Sequence, residues 1–123
     1  IIMTGFRKDI KDIFKEVDVF LMTSKEEGLG STNLDAFANK VPVVATAGGG
    51  IPEVVKHEQT GLLAPIKSPE VLADYVYRML SDEELRNNLT QKALRTLQEN
   101  FTKEVMAKET MKHYKQVLSA AKT

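Results

Sequence analysis

The chain has 123 residues, with 17 Lys plus Arg against 17 Asp plus Glu and a formal net charge of zero. That length carries one domain with a real core and not two, and the balanced charge argues against non-specific binding to nucleic acid or to anionic membranes. There is no cysteine, hence no disulfide framework and no thiolate metal site, and no apolar run has the length of a spanning helix or the look of a signal peptide, so a soluble cytoplasmic domain is expected.

The chain opens inside an element. Ile1-Ile2-Met3-Thr4 reads as a strand ended by Gly5, and a strand at residue 1 implies a chain cut from something longer. From Arg7 to Glu16 the residues Ile10, Ile13, Phe14 and Val17 keep the i, i+3, i+4, i+7 spacing of an amphipathic helix. The apolar run 17–22 predicts a buried strand over 18–23, followed by a glycine-bearing stretch, 24–35, and a short helix through Leu34-Asp35-Ala36-Phe37-Ala38. A third β-branched strand covers 41–46. Gly48-Gly49-Gly50 reads as a flexible turn, and Pro52 suits the first turn of a helix. Gly61-Leu62-Leu63-Ala64 is a short fourth strand. Alternating strands and helices imply parallel strands with right-handed crossovers, so the fold class is α/β with a sheet of about four strands.

The second half reads as all helix. Ser68 is a cap, Pro69 takes the first helical position, and the helix runs to about Leu80. Ser81-Asp82-Glu83-Glu84 has the form of a capping box before Leu85, Leu89, Ala93 and Leu97. Thr102 caps a last helix with Ala107, Met111, Tyr114 and Leu118 on one face.

The 24–35 stretch sits at the carboxyl end of a strand, where open α/β sheets bind ligands. Gly28 and Gly30 allow close backbone approach, and Ser31 or Thr32 can cap the helix that follows. The amides of its first turn suit an anion such as a diphosphate. Glu27 and Asp35 flank those amides with seven residues between them, an arrangement able to hold both the sugar and the ribose hydroxyls of a nucleotide sugar. A bare Gly-x-Gly is weak by itself, and the third glycine of the dinucleotide pattern is replaced by Asn33. Plainer roles stand beside these. Glu27 has the plainer alternative of a solvated loop residue, though its place beside two glycines at a strand end favours a ligand; Asp35 reads equally as a capping-box acid if Thr32 is the cap, and Glu53 reads first as a complement to its own helix dipole. His57 and His113 lack metal-ligand partners, so no metal site is expected.

Together with Val41-Pro42-Val43-Val44-Ala45-Thr46, Gly48-Gly49-Gly50-Ile51-Pro52-Glu53-Val54-Val55 and Thr60-Gly61-Leu62-Leu63, in matching order and spacing, this stretch resembles the Glu-x7-Glu region of the retaining, two-domain group 1 glycosyltransferases, the glycogen synthase and sucrose synthase relatives. Asp35 departs from the pattern, which usually carries Glu there; Asp is shorter by about 1.5 Å. The resemblance implies that residues 1–123 are the carboxy-terminal, Rossmann-like, donor-binding domain, without its first strands and without the amino-terminal acceptor domain. It implies Glu27 as the catalytic carboxylate at the sugar, and donor contacts from Gly28, Leu29, Gly30, Ser31, Thr32, Asp35 and Gly49. The loop Gly5-Phe6-Arg7 resembles the one that reads the base. The donor would be a nucleoside diphosphate sugar, with no metal and no cofactor, and the acceptor is unreadable.

The family's sheet order, 3-2-1-4-5-6, makes the four strands here its third to sixth. Strand 1–4 is therefore expected either to pair directly with strand 18–23 or to be completed by a second copy, so a homodimer through that edge or the last helix is in view. That helix resembles one that crosses back to the amino-terminal domain. The fragment alone is expected to be inactive, and the full-length enzyme is compatible with a place at the membrane periphery. The rival readings are a sugar-nucleotide epimerase of the same fold and a non-catalytic nucleotide-sugar binding or interaction module.

Overall fold

The β-branched and apolar runs become three short parallel strands in the computed structural model, which describes residues 1–121. They are β1 (Phe20–Met22), β2 (Val43–Thr46) and β3 (Leu62–Ala64), hydrogen-bonded in that order. Phe20 sits opposite Val43, and Val44 opposite Leu62. The central strand β2 is buried along its whole length, as expected of a parallel strand covered on both faces. Val43 and Ala45 point into one apolar layer with Phe14, Phe37, Ile51 and Val54. Val44 points into the other with Leu62, Ala64, Leu72, Met79 and Leu89. The strand's two-residue period thus divides the core into two.

The described residues form six helices, of which the last stands off the sheet. They are α1 (Ile10–Ile13, continued by a 3-10 turn at Phe14–Glu16), α2 (Thr32–Ala38), α3 (Ile51–Val54), α4 (Pro69–Ser81), α5 (Glu83–Asn100) and α6 (Lys103–Ala120). α5 spans both layers, with Ala93 in the first and Leu89 in the second. None of the described helices is long and apolar enough to cross a membrane.

Four expectations need correction. No strand forms over 1–4: Ile2 and Met3 are each 89% exposed, and the sheet has three strands rather than four. This segment pairs neither with β1 nor with another strand, because a lone extended run has no ladder to offset its lost chain entropy. The helix expected from Arg7 shrinks to α1 and its 3-10 turn, with Ile10 exposed and Phe14 buried. The capping box shifts by one residue. Ser81 ends α4, where its hydroxyl donates to the Tyr77 carbonyl at 2.8 Å, and Asp82 caps α5 by accepting from the Leu85 N–H at 2.9 Å. Ser68 precedes α4 without a side-chain cap bond, whereas Thr102 does cap α6, accepting from the Val105 N–H at 3.3 Å. The last helix stands apart: α6 buries no residue, and Met111, Tyr114 and Leu118 are exposed, so its apolar face does not fold onto this domain.

Candidate functional site

β1 and β2 end side by side, and the loops leaving their carboxyl ends lie on one another. Thr46, the last residue of β2, is buried, and its hydroxyl donates to the Ser24 carbonyl at 2.5 Å. The Gly50 N–H donates to the Glu27 carbonyl at 2.8 Å. A Cβ on Gly48 would lie 2.5 Å from the Ser24 and Lys25 carbonyl oxygens. On Gly49, whose φ is +54°, it would run into the Glu27 carbonyl, and on Gly50 into the Gly28 carbonyl. The three glycines are therefore a floor that the 24–28 backbone rests on, not a flexible turn.

The motif loop closes at Gly30, whose φ of +70° suits glycine. Its carbonyl accepts from the Asn33 N–H at 3.0 Å and from the buried Asn33 side-chain amide at 2.9 Å. Asn33 Oδ1 is buried and has no partner among the described residues. So the residue in the third-glycine position is a clamp on the turn. The signal was readable, since Asn bonds readily to nearby backbone. Ser31, in helical conformation, takes the N-cap position without a side-chain bond. Asp35 therefore lies one place beyond the capping-box position expected with Thr32 as cap. Among the described residues no hydrogen bond takes the N–H groups of Gly30, Ser31 or Thr32.

The two carboxylates do not share a pocket. Glu27 is half-buried, and its Oε1 accepts from the Ser24 hydroxyl at 2.7 Å. With Lys25, Gly28, Gly49 and Ile66 it lines an open cleft of about 570 Å³. Asp35 is exposed and lines a second cleft, of about 740 Å³, with Lys8, Asp9, Lys11 and Asn39. Leu29 is exposed between Gly28 and Gly30.

Phe6 and Arg7 line neither cleft. Phe6 is exposed, and Arg7 is closed onto Asp9, with Nε donating to Oδ1 at 2.7 Å and Nη2 to Oδ2. Hydrogen bonds from Arg7 hold the Asp9 carboxyl down to about 2, and the same pairing raises the Arg7 guanidinium. Arg7 is thus paired within its own segment and, with no strand over 1–4, does not sit at a strand end. His57 is used locally: its Nδ1 accepts from the Leu63 N–H at 3.0 Å and its ring lies 5.4 Å from that of Tyr75. His113 is exposed on α6, and Glu53 is exposed in the first turn of α3. No group of three or more His, Asp or Glu among the described residues is placed to hold a metal ion.

The family model described as "Glycosyl transferases group 1" matches residues 1–96, which leaves α6 outside the match. The chain is 31% identical over 118 residues to the N-acetyl-alpha-D-glucosaminyl L-malate synthase of Bacillus anthracis, covering 96% of this chain and 31% of that protein. Among solved structures, the C-terminal domain of a glycosyl transferase group 1 family protein from Francisella tularensis aligns with a TM-score of 0.73 at 27% identity, over 84% of this chain and 53% of that one. Sucrose-phosphate synthase from Thermosynechococcus elongatus aligns with a TM-score of 0.78 at 30% identity, over 88% of this chain and 27% of that one. The chain spans about 27 to 31% of the length of the first curated relatives it matches.

Proposed function

The chain belongs to the group 1 glycosyltransferases, and on that premise we propose that it is the carboxy-terminal, donor-binding part of a retaining enzyme. The whole protein would transfer a sugar from a nucleoside diphosphate sugar to an acceptor. The carrying observation is how the 27–35 motif is seated. Its loop is pinned on Gly48, Gly49 and Gly50 at the carboxyl ends of β1 and β2, with Glu27 in one open cleft and Asp35 in another.

In this reading the diphosphate lies on the N–H groups of Gly30, Ser31 and Thr32. The bond from the sugar's anomeric carbon to the phosphate oxygen breaks with its electron pair leaving on the diphosphate, an acceptor hydroxyl oxygen bonds to that carbon, and its proton passes to the departing diphosphate. Each contact at the helix end favours that departing charge by roughly 0.3 to 2 kcal/mol. Glu27, beside Gly28 and Gly49, faces the sugar and stabilises the positive charge that develops on it. Asp35 takes the ribose from the second cleft, and Phe6 and Arg7 approach the base once the nucleotide is bound. The backbone does the work a metal would otherwise do, so chelation by EDTA leaves nucleotide binding unchanged. The open edge of β1 and the apolar face of α6 take the remainder of the protein; a second copy in that place would double the mass seen by light scattering.

Titrating the labelled chain with UDP, GDP and ADP tests this. Amide shifts centred on 27–35 and Gly49 are expected for one of the three and identify the base. No shift with any of them sinks the donor-site reading in favour of an interaction module. Turnover is not expected from this chain, because positioning needs both walls of the cleft; product formed by the purified chain would contradict that.

A further inference from the structure

Resting on the donor-site reading, we propose that Ser24 is a positioning residue for Glu27. Glu27 is carried on a loop, where a glutamate side chain samples many rotamers. Two attachments remove that freedom. Its main chain is tied to the β2–α3 turn by the Gly50 N–H at 2.8 Å. Its carboxylate is tied by the Ser24 hydroxyl at 2.7 Å to Oε1, which leaves Oε2 for a ligand hydroxyl. Ser24 is itself anchored, since its carbonyl accepts from Thr46 Oγ1 at 2.5 Å and Thr46 is buried at the end of β2. A relay therefore runs from the sheet through Thr46 and Ser24 to the carboxylate, and only its last member touches the donor. A carboxylate whose rotamer is already selected loses less freedom on binding.

The test uses the whole chain with UDP, GDP and ADP, each beside its glucose ester. The readout is the ratio of the sugar nucleotide Kd to the nucleoside diphosphate Kd. Ser24→Ala is expected to raise that ratio about tenfold, the scale of one charge-assisted hydrogen bond, and to leave binding of the bare diphosphate unchanged. Ser24→Thr, which keeps the hydroxyl, restores the ratio. In a Glu27→Ala background, Ser24→Ala has no further effect on it. Without ligand, the Glu27 side-chain carboxyl carbon shift moves in Ser24→Ala and returns in Ser24→Thr.

An unmoved carboxyl shift overturns the proposal whatever the nucleotides do. A moved shift with an unchanged ratio makes the bond structural and also overturns it, as does a Ser24→Ala chain that loses its fold. If none of the nucleotides binds the unmutated chain, the donor-site reading falls and the positioning role falls with it. The carboxyl shift still reports in that case whether the hydrogen bond exists.

Discussion

α5 and α6 are near twins in sequence terms. Each has 18 residues and a side-chain cap, Asp82 on Leu85 and Thr102 on Val105. Each carries apolar residues at helical spacing. Yet α5 buries Leu89, Thr90 and Ala93 while α6 buries nothing. Capping and periodicity make a helix; only a surface opposite its apolar stripe makes it part of a core. α5 has that surface because it bridges both layers of the sheet, and α6 leaves the domain after Phe101 with no layer to cover it. The first ten residues share the condition of α6: their apolar side chains, Ile1, Ile2, Met3 and Phe6, are exposed for want of a neighbour.

The largest effect that should separate the two helices is a core truncation. Leu89→Ala is expected to cost about 2–5 kcal/mol in denaturant unfolding, whereas Leu118→Ala should stay within about 0.5 kcal/mol. Equal losses would mean that α6 is covered after all. Next comes the floor of the site, the region that packing protects most closely. Gly50→Ala sets a methyl against the Gly28 carbonyl and should cost about 1–3 kcal/mol, with amide shifts reaching 24–30 and leaving α6 untouched.

Smaller still is the difference between caps. Asp82→Ala should lower global stability by about 1 kcal/mol. Thr102→Ala removes a comparable bond but should only speed hydrogen exchange in the first turns of α6, with the unfolding midpoint unchanged. The smallest effect belongs to the uncovered start of the chain. Because Arg7 depresses the Asp9 carboxyl to about 2, the pair's contribution is fully present above about pH 4 and is lost as pH falls through about 2. Asn at position 9 should abolish that acid transition in the Arg7 side-chain resonances without altering the α5 core.

The position of the candidate loop was legible in the sequence. The 27–35 spacing, Gly28 and Gly30 located the loop at a strand end, since glycine and acid patterns are local statements. What could not be read was the reason for Gly48, Gly49 and Gly50. A triple glycine looks like slack in a chain, and only the neighbouring loop, brought within contact by parallel pairing of β1 and β2, makes it a close-packed floor. Asn33 differs: it departs from the glycine pattern, yet the readiness of Asn to bond nearby backbone already pointed to the clamp its side chain makes on the Gly30 carbonyl. The Arg7–Asp9 pair lies within two residues, so its opposite charges are a local signal that the sequence itself carries.

The amino-acid order alone determined the alternation of strands and helices, the helical second half, the Thr102 cap and the family to which the motif belongs. Those depend on side-chain period, capping chemistry and turn residues, all of which act over a few positions. The tertiary structure decided that residues 1–4 are no strand, that Glu27 and Asp35 open onto separate clefts, and that α5 is core while α6 is not. Each of these turns on whether a second surface is present, and a surface is assembled from residues far apart in the chain.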